Sequence, residues 1–207
     1  MWSVITSGTA RALVESAVDL FAERGFHATS TKEITQRANL SPAALYVHFA
    51  SKEQLLFEIS KIGHEAVDEF IREATDNASK PVDRVFNLIE AFTVWHATNV
   101  VPSRAIQRDL SALTCDHRAE IVERRLQTEQ YVEREIRDGM LQGDFHITDA
   151  HGVALMIFGV GIDVTRWFQA GGVYSSAELG LMHAEHFMRL LTAPEWNQSR
   201  NQATSCD

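Results

Sequence analysis

Apolar residues along this chain recur at three- and four-residue spacing, and no segment alternates apolar with polar as a half-buried strand would. The pattern predicts an all-α protein. A first helix over residues 10–24 carries Leu13, Ala17, Leu20 and Phe21 on one stripe and stops at Gly25. Ser30 or Thr31 then caps a short helix with Glu33 in its first turn, with Ile34 and Ala38 facing inward, and Asn39 ends it. Ser41 and Pro42 supply an N-cap and a first-position proline for a helix of about two turns over residues 43–49. Ser51, followed by Lys52-Glu53-Gln54, opens a long helix whose apolar positions Leu55, Leu56, Ile59, Ile62, Ala66, Val67 and Phe70 continue to about residue 74.

The second part of the chain repeats the same period. Pro81 starts a helix through Phe86, Ile89, Phe92 and Trp95, and Pro102 starts another to about residue 113. A turn at residues 114–117 precedes a long charged helix over 118–141 that stops near Gly143. Two strongly apolar helices, 149–169 and 176–191, flank Gly171-Gly172, and the polar tail is expected to fray. The expected division is a three-helix head over 1–52, a helical body over 53–195 and a flexible tail over 196–207.

Composition agrees with a folded soluble chain, 45% hydrophobic and 23% charged, long enough at 207 residues to bury a core. The most apolar run, residues 153–162, is shorter than the roughly 18 residues a membrane span needs. The opening MWSVITSGTARAL lacks the basic-then-apolar order of a secretory leader, which points to the cytoplasm, and Cys115 and Cys206 read as reduced thiols. The net charge of −9 argues at first against a nucleic-acid partner. Its distribution reverses that inference. Residues 1–62 are neutral and the remainder carries the entire deficit, so the acidic body disfavours nonspecific sticking and confines contact to a small surface of the head.

Residues 31–56, TKEITQRANLSPAALYVHFASKEQLL, place two short helices around a four-residue turn. This is the helix-turn-helix pattern, in which the second short helix enters the major groove of double-stranded DNA. Asn39 tolerates a left-handed backbone, and Leu40 plugs the space between the helices. Leu45 and Phe49, four apart, face inward; Pro42, Ala43, Ala44, Tyr46 and His48 lie on the outer surface with Val47. Ala43 and Ala44 can touch thymine methyl groups but offer no bidentate hydrogen bonds to bases. Thr31, Ser41, Tyr46, His48 and Lys52 are the expected phosphate ligands.

With Phe21, Gly25, Ser30-Thr31, Ile34, Ala38, Ser41, Leu45-Tyr46, His48-Phe49, Ser51-Lys52-Glu53 and Leu55-Leu56 at these spacings, the chain resembles the TetR family of regulators. It departs from the usual pattern at Asn39, where the family has glycine, and at Pro42 and Ala43. The resemblance implies a homodimer on a palindromic operator, paired through the last two helices, and release of DNA by a small molecule bound in the body. The segment TRWFQAGGVYSSAEL and the helix end GMLQGDF resemble the branch that answers acyl-coenzyme A thioesters. That likeness makes Arg166 a phosphate partner and Trp167 a stacking surface, against the plainer reading of an Arg-Trp pair at the dimer edge. The expected cavity is lined from Phe92, Trp95, His96, Asn99, Arg108, Tyr131 and Phe158.

No catalytic or metal-binding set stands out, and no cofactor is expected. His64-Glu65 lacks the second histidine of a zinc-protease helix, and His183 and His186 bring no third ligand. Gly159-Val160-Gly161 falls inside a helical run rather than after a strand, so it is no dinucleotide loop. The competing readings are a helical enzyme acting on acyl thioesters and an adaptor that has lost DNA binding.

Overall fold

The computed structural model describes residues 1–193, all helix, turn and loop. The expected tail over 196–207 lies outside the described residues. The head begins with α1 (Gly8–Arg24), whose Ser7 hydroxyl accepts from the Ala10 N–H. Next comes α2 (Thr31–Arg37), held by a reciprocal capping box. Ser30 Oγ accepts from the Glu33 N–H at 3.2 Å, and the Ser30 N–H donates to the Glu33 carboxylate at 2.8 Å. These bonds, with Arg24 beside them, hold the Glu33 carboxyl at about 2.

Asn39 adopts φ 55, the single non-glycine residue with positive φ among the described residues, and so makes the turn into α3 (Ala43–His48). Ser41 caps this helix only through its carbonyl, which accepts from the Ala44 N–H at 3.0 Å; no side chain caps it. Pro42, already at helical φ and ψ, needs no donor there. Leu45 and Phe49 are buried as their spacing predicts, and Leu40 packs against the same core.

The helix that leaves the head, α4 (Lys52–Thr75), is capped by Ser51 and serves two cores. Its first turns bury Leu55, Leu56 and Ile59 with Leu13, Phe21 and Ile34 in the head. Further along, Val67 and Ile71 join the core of the body. Each such side chain contributes roughly 1.5–3 kcal/mol by leaving water, so α4 anchors both units. Along α4 the packing passes from the core of the head to that of the body between Ile59 and Val67.

The body comprises α5 (Pro81–Thr98), α6 (Val100–Arg108), α7 (Cys115–Gln142), α8 (Ala150–Trp167) and α9 (Ser176–Thr192). α5 is central and packs against α4, α7, α8 and α9. Two starts differ from the expectation. α6 begins at Val100, with Pro102 third in the helix, because first-turn N–H groups lack intrahelical acceptors and a proline there forfeits nothing. α7 begins at Cys115, since Thr114 Oγ1 accepts from the His117 N–H, and the anticipated turn is already the first helical turn. α6 closes at Arg108 and yields to a short 3₁₀ turn over Leu110–Ala112. No helix among the described residues is long and apolar enough to cross a membrane.

Met156, Val160 and Trp167 stand on one stripe of α8, each more than two-fifths exposed, with Leu155 beside them; Leu181 and Leu190 are exposed on α9. Exposed apolar side chains on these two helices are what a subunit interface leaves uncovered in a single protomer. Replacing Val160 with Glu buries a charge in that interface. Sedimentation of V160E is expected to shift from dimer to monomer with helical circular dichroism unchanged. Retention of the dimer would place the interface elsewhere.

Candidate DNA interface and effector cavity

On α3 the side chains divide by direction. Leu45 is fully buried, whereas Tyr46 and Val47 are 59% and 77% exposed, with Ser41, Pro42, Ala43 and His48 also open to solvent and Ala44 half-buried. Exposure of two large apolar residues on a six-residue helix is costly for a lone head and suits a surface that meets another molecule. Thr31, half-buried, opens α2. These residues share the outer side of the helix-turn-helix.

Lys52 is differently placed. Its ammonium donates to the carbonyls of Phe26 and Thr29 at 2.7 and 2.6 Å and lies 4.0 Å from the centre of the Phe26 ring. Burial lowers its pKa. The lysine thus ties the loop between α1 and α2 to the start of α4, a role that the motif pattern alone does not reveal. From the body, Asp109 Oδ2 accepts the Phe26 N–H at 2.8 Å, and Arg108 packs over Gly25. Gly25 has φ 86, a conformation that favours glycine, and a β-carbon there would stand 3.1 Å from the Arg108 guanidinium, which would have to shift slightly. A second seam joins Glu53, at the start of α4, to the Thr114 N–H and the His117 ring, which also stacks on Phe57 at 3.9 Å.

Side chains of the body line a cavity of about 30 Å³. α4 contributes Gly63, His64 and Val67; α5 contributes Phe92, Trp95 and His96; α6 contributes Ser103, Ile106 and Gln107. Arg125 and Thr128 of α7 and Phe158 and Ile162 of α8 complete it. Of the residues expected to line a cavity, Phe92, Trp95, His96 and Phe158 meet here. Asn99, Arg108 and Tyr131 lie elsewhere, as do Arg166 and Trp167, the expected phosphate partner and stacking surface. Arg108 sits at the seam with the head, and Asn99 lines a second groove of about 490 Å³ with Glu65, Glu69 and Glu73, which shares Trp95 with the first. Tyr131 gives its hydroxyl to Thr75 at 2.6 Å and its ring to Arg72 and Arg134. Arg166, paired with Asp163, and Trp167 end α8 in solvent.

Sequence reasoning missed the contribution of α6 and α7. Arg125 has no ion-pair partner among the described residues, and it is the cation that reaches the cavity. Its position at one end of a run of Arg124-Arg125 on a charged helix gave no sign of which arginine turns inward; Arg124 pairs with Glu65 and Glu120 instead.

The two cavity histidines share one geometry. Nδ1 of His64 lies 2.7 Å from the Ser60 carbonyl, and Nδ1 of His96 lies 2.9 Å from the Phe92 carbonyl. A carbonyl only accepts, so each Nδ1 carries the proton. Burial is the main reason that both pKa values fall to about 4, leaving the rings neutral.

A helix-turn-helix head fixed to a helical body that holds a polar-studded cavity defines a DNA-binding transcriptional regulator. The chain belongs to the TetR family: residues 13–59 match the family described as bacterial regulatory proteins, tetR family, and residues 78–191 match the tetracyclin repressor-like C-terminal domain. Regulators of this family bind operator DNA as dimers. A TetR-family regulatory protein from Rhodococcus RHA1 is 34% identical and superposes with a TM-score of 0.85, covering 90% of this chain and 98% of that one. The HTH-type transcriptional repressor KstR2 of Mycobacterium tuberculosis is 27% identical over 177 residues, 81% of this chain and 85% of the relative. The structure of AibR in complex with isovaleryl coenzyme A and operator DNA shares the fold, with 24% identity and a TM-score of 0.78 over 90% of this chain and 98% of that one.

Two measurements follow from this geometry. Lys52→Met leaves two loop carbonyls without their charged donor and is expected to lower unfolding free energy by about 1–3 kcal/mol. The salt dependence of DNA binding should stay as in the parent, whereas loss of a phosphate contact would flatten the log–log slope by about one. For the histidines, the unfolded chain takes up protons first as pH drops. The stability that neutral burial confers is complete above the ordinary value of 6.5 and is lost as pH falls toward about 4. Denaturant titrations across that window should show a shallower loss in His96→Leu than in the parent.

Proposed function

We propose that this protein is a cytoplasmic transcriptional repressor that binds a palindromic operator as a homodimer and is released by an amphipathic effector of the acyl-coenzyme A type. The carrying observation is the double role of α6. Ser103, Ile106 and Gln107 face the cavity, and Arg108 and Asp109, the next two residues, grip the loop of the DNA head. A molecule entering the cavity and a head docked on DNA therefore compete for the position of one short helix.

The DNA contact rests on Thr31, Ser41, Tyr46 and His48 as phosphate ligands, with Pro42, Ala43 and Ala44 approaching the base edges. Ligand pockets usually measure about 300–1,000 Å³, so this cavity of about 30 Å³ must enlarge to take an effector of that size. A β-carbon on Gly63 would stand 2.2 Å from Ile106 Cδ1, so α4 and α6 already touch and widening the cavity between them moves α6. The apolar floor of Val67, Phe92, Phe158 and Ile162 suits an acyl or polycyclic body, and Arg125 suits an anionic end. The acidic groove beside Asn99 repels such an anion. KstR2, named as a repressor, and AibR, solved with isovaleryl coenzyme A, support the same reading.

We favour binding over catalysis because Ser103 Oγ makes no hydrogen bond to either imidazole, so no nucleophile–base pair is formed. Arg166, the phosphate partner suggested by resemblance, is replaced in this proposal by Arg125.

Gel shifts with the palindromic promoter fragment test the proposal. One dimer per site and dissociation by acyl-coenzyme A thioesters of graded chain length are expected. DNA binding that no such thioester alters would refute the effector reading. Asp109→Asn weakens the link between α6 and Phe26 and should leave thioester affinity within a fewfold of the parent while reducing release several-fold.

A further inference from the structure

We infer that the inner part of the cavity recognises a hydrogen-bond donor, so that its ligand is an apolar molecule bearing a hydroxyl on the portion that enters between α4, α5 and α6. The inference rests on the reading of this cavity as the effector site and narrows the chemistry of what it binds.

The donor and acceptor inventory carries it. His64 and His96 are each committed through Nδ1–H to the carbonyl four residues earlier on their own helix. That bond fixes both the tautomer and the ring plane, and it leaves Nε2 of each neutral ring as a lone-pair acceptor. Both rings line the cavity, at 9% and 3% exposure, and each is more than nine-tenths removed from solvent. Ser103, 2% exposed on the facing helix, has a hydroxyl without a hydrogen-bond partner. Helical serines commonly return their proton to the carbonyl one turn back, as Ser60 does to Leu56 at 2.8 Å. Ser103 does not.

Two acceptors and one rotatable hydroxyl are therefore set together among Phe92, Trp95 and Ile106, with the Gln107 amide, the Thr128 hydroxyl and the Trp95 indole N–H as the other neutral polar groups of the lining. An unmatched buried polar group costs about 1–3 kcal/mol. A saturated acyl chain covering the two lone pairs meets that cost, and a ketone or ether brings further acceptors against them. A hydroxyl reverses the sign. It donates to an Nε2 and accepts from Ser103, and no charged partner is needed, in keeping with the depressed basicity of both rings. Arg125 lies on α7, a different wall, and remains available for an anionic end of the same molecule.

Small probes test this without knowledge of the natural effector. Cyclohexanol and cyclohexanone are close in size and differ in donor capacity; toluene reports on the apolar cavity alone. The ¹⁵N-labelled full-length dimer is titrated with each at neutral pH while histidine side-chain nitrogens are observed. Both free rings are expected as Nδ1–H tautomers. Cyclohexanol should bind about tenfold tighter than cyclohexanone, the worth of one net hydrogen bond, and shift the Nε2 signals of His64 and His96. Ser103→Ala should shrink that preference. Equal affinity for the two probes, or an Nε2–H tautomer in either free ring, overturns the donor inference, and toluene binding then shows the cavity reading intact. Failure of all three probes to bind removes the cavity reading and the inference together.

Discussion

The loop between α1 and α2 is held by charge from both sides, and the rest of the molecule is arranged around that fact. Lys52 caps the Phe26 and Thr29 carbonyls from the start of α4, and Asp109 takes the Phe26 N–H from the end of α6. Backbone groups in a buried loop must find partners, and here a cation satisfies the acceptors while an anion satisfies the donor. Charge-assisted bonds of this type are roughly twice as strong as neutral ones. Asp109 also offsets part of the cost of burying Lys52. The head is therefore rigid within itself through Lys52 and answerable to the body through Asp109.

The small cavity takes its meaning from the same seam. The glycine at position 63 lets α6 approach α4 closely, which narrows the cavity, while the end of α6 seats Asp109 against the head. Packed interiors respond to insertion by shifting elements rather than by deforming continuously. Enlarging the cavity to ligand size means moving one of its five helical walls. α6, only nine residues long and closed by a 3₁₀ turn, packs Ala105 and Ile106 into the core of the head, so the head registers any displacement of it. Coupling then requires only that the ligand favour the displaced position of α6 and DNA the seated one.

How far these features were legible in the sequence follows from the range of the forces involved. Caps and turns are local, so Ser30 with Glu33, Asn39 and Ser51 marked the head's helices directly. Inward positions such as Ile34 and Leu45 followed from period alone. The cavity depends on how five helices rotate about their axes, which no single-helix period specifies. Phe92, Trp95, His96 and Phe158 were found because aromatic and imidazole groups in central apolar helices have few other places to go. Tyr131 and Arg108 obeyed the same pattern and went to Thr75 and to the head seam, where long-range partners decided the matter. Lys52 matched a motif whose phosphate role is common, yet two carbonyls across the domain hold its ammonium.

The composition of the recognition surface limits what the head can do alone. Pro42, Ala43 and Ala44 present no bidentate donor, and the cations Arg24 and Arg37 are turned to Glu33 and Glu23. A single head therefore gains little from base edges and little from net charge. Two heads held at fixed separation multiply that small gain only when both grooves are presented together. Sequence preference then depends on half-site spacing and on the ease with which the intervening DNA takes the required shape. A weak reader is also an easily released one. Because each head contributes modestly, a small change in the angle between them, as we propose for displacement of α6 at the Asp109–Phe26 contact, would remove the advantage of simultaneous binding without unfolding either head.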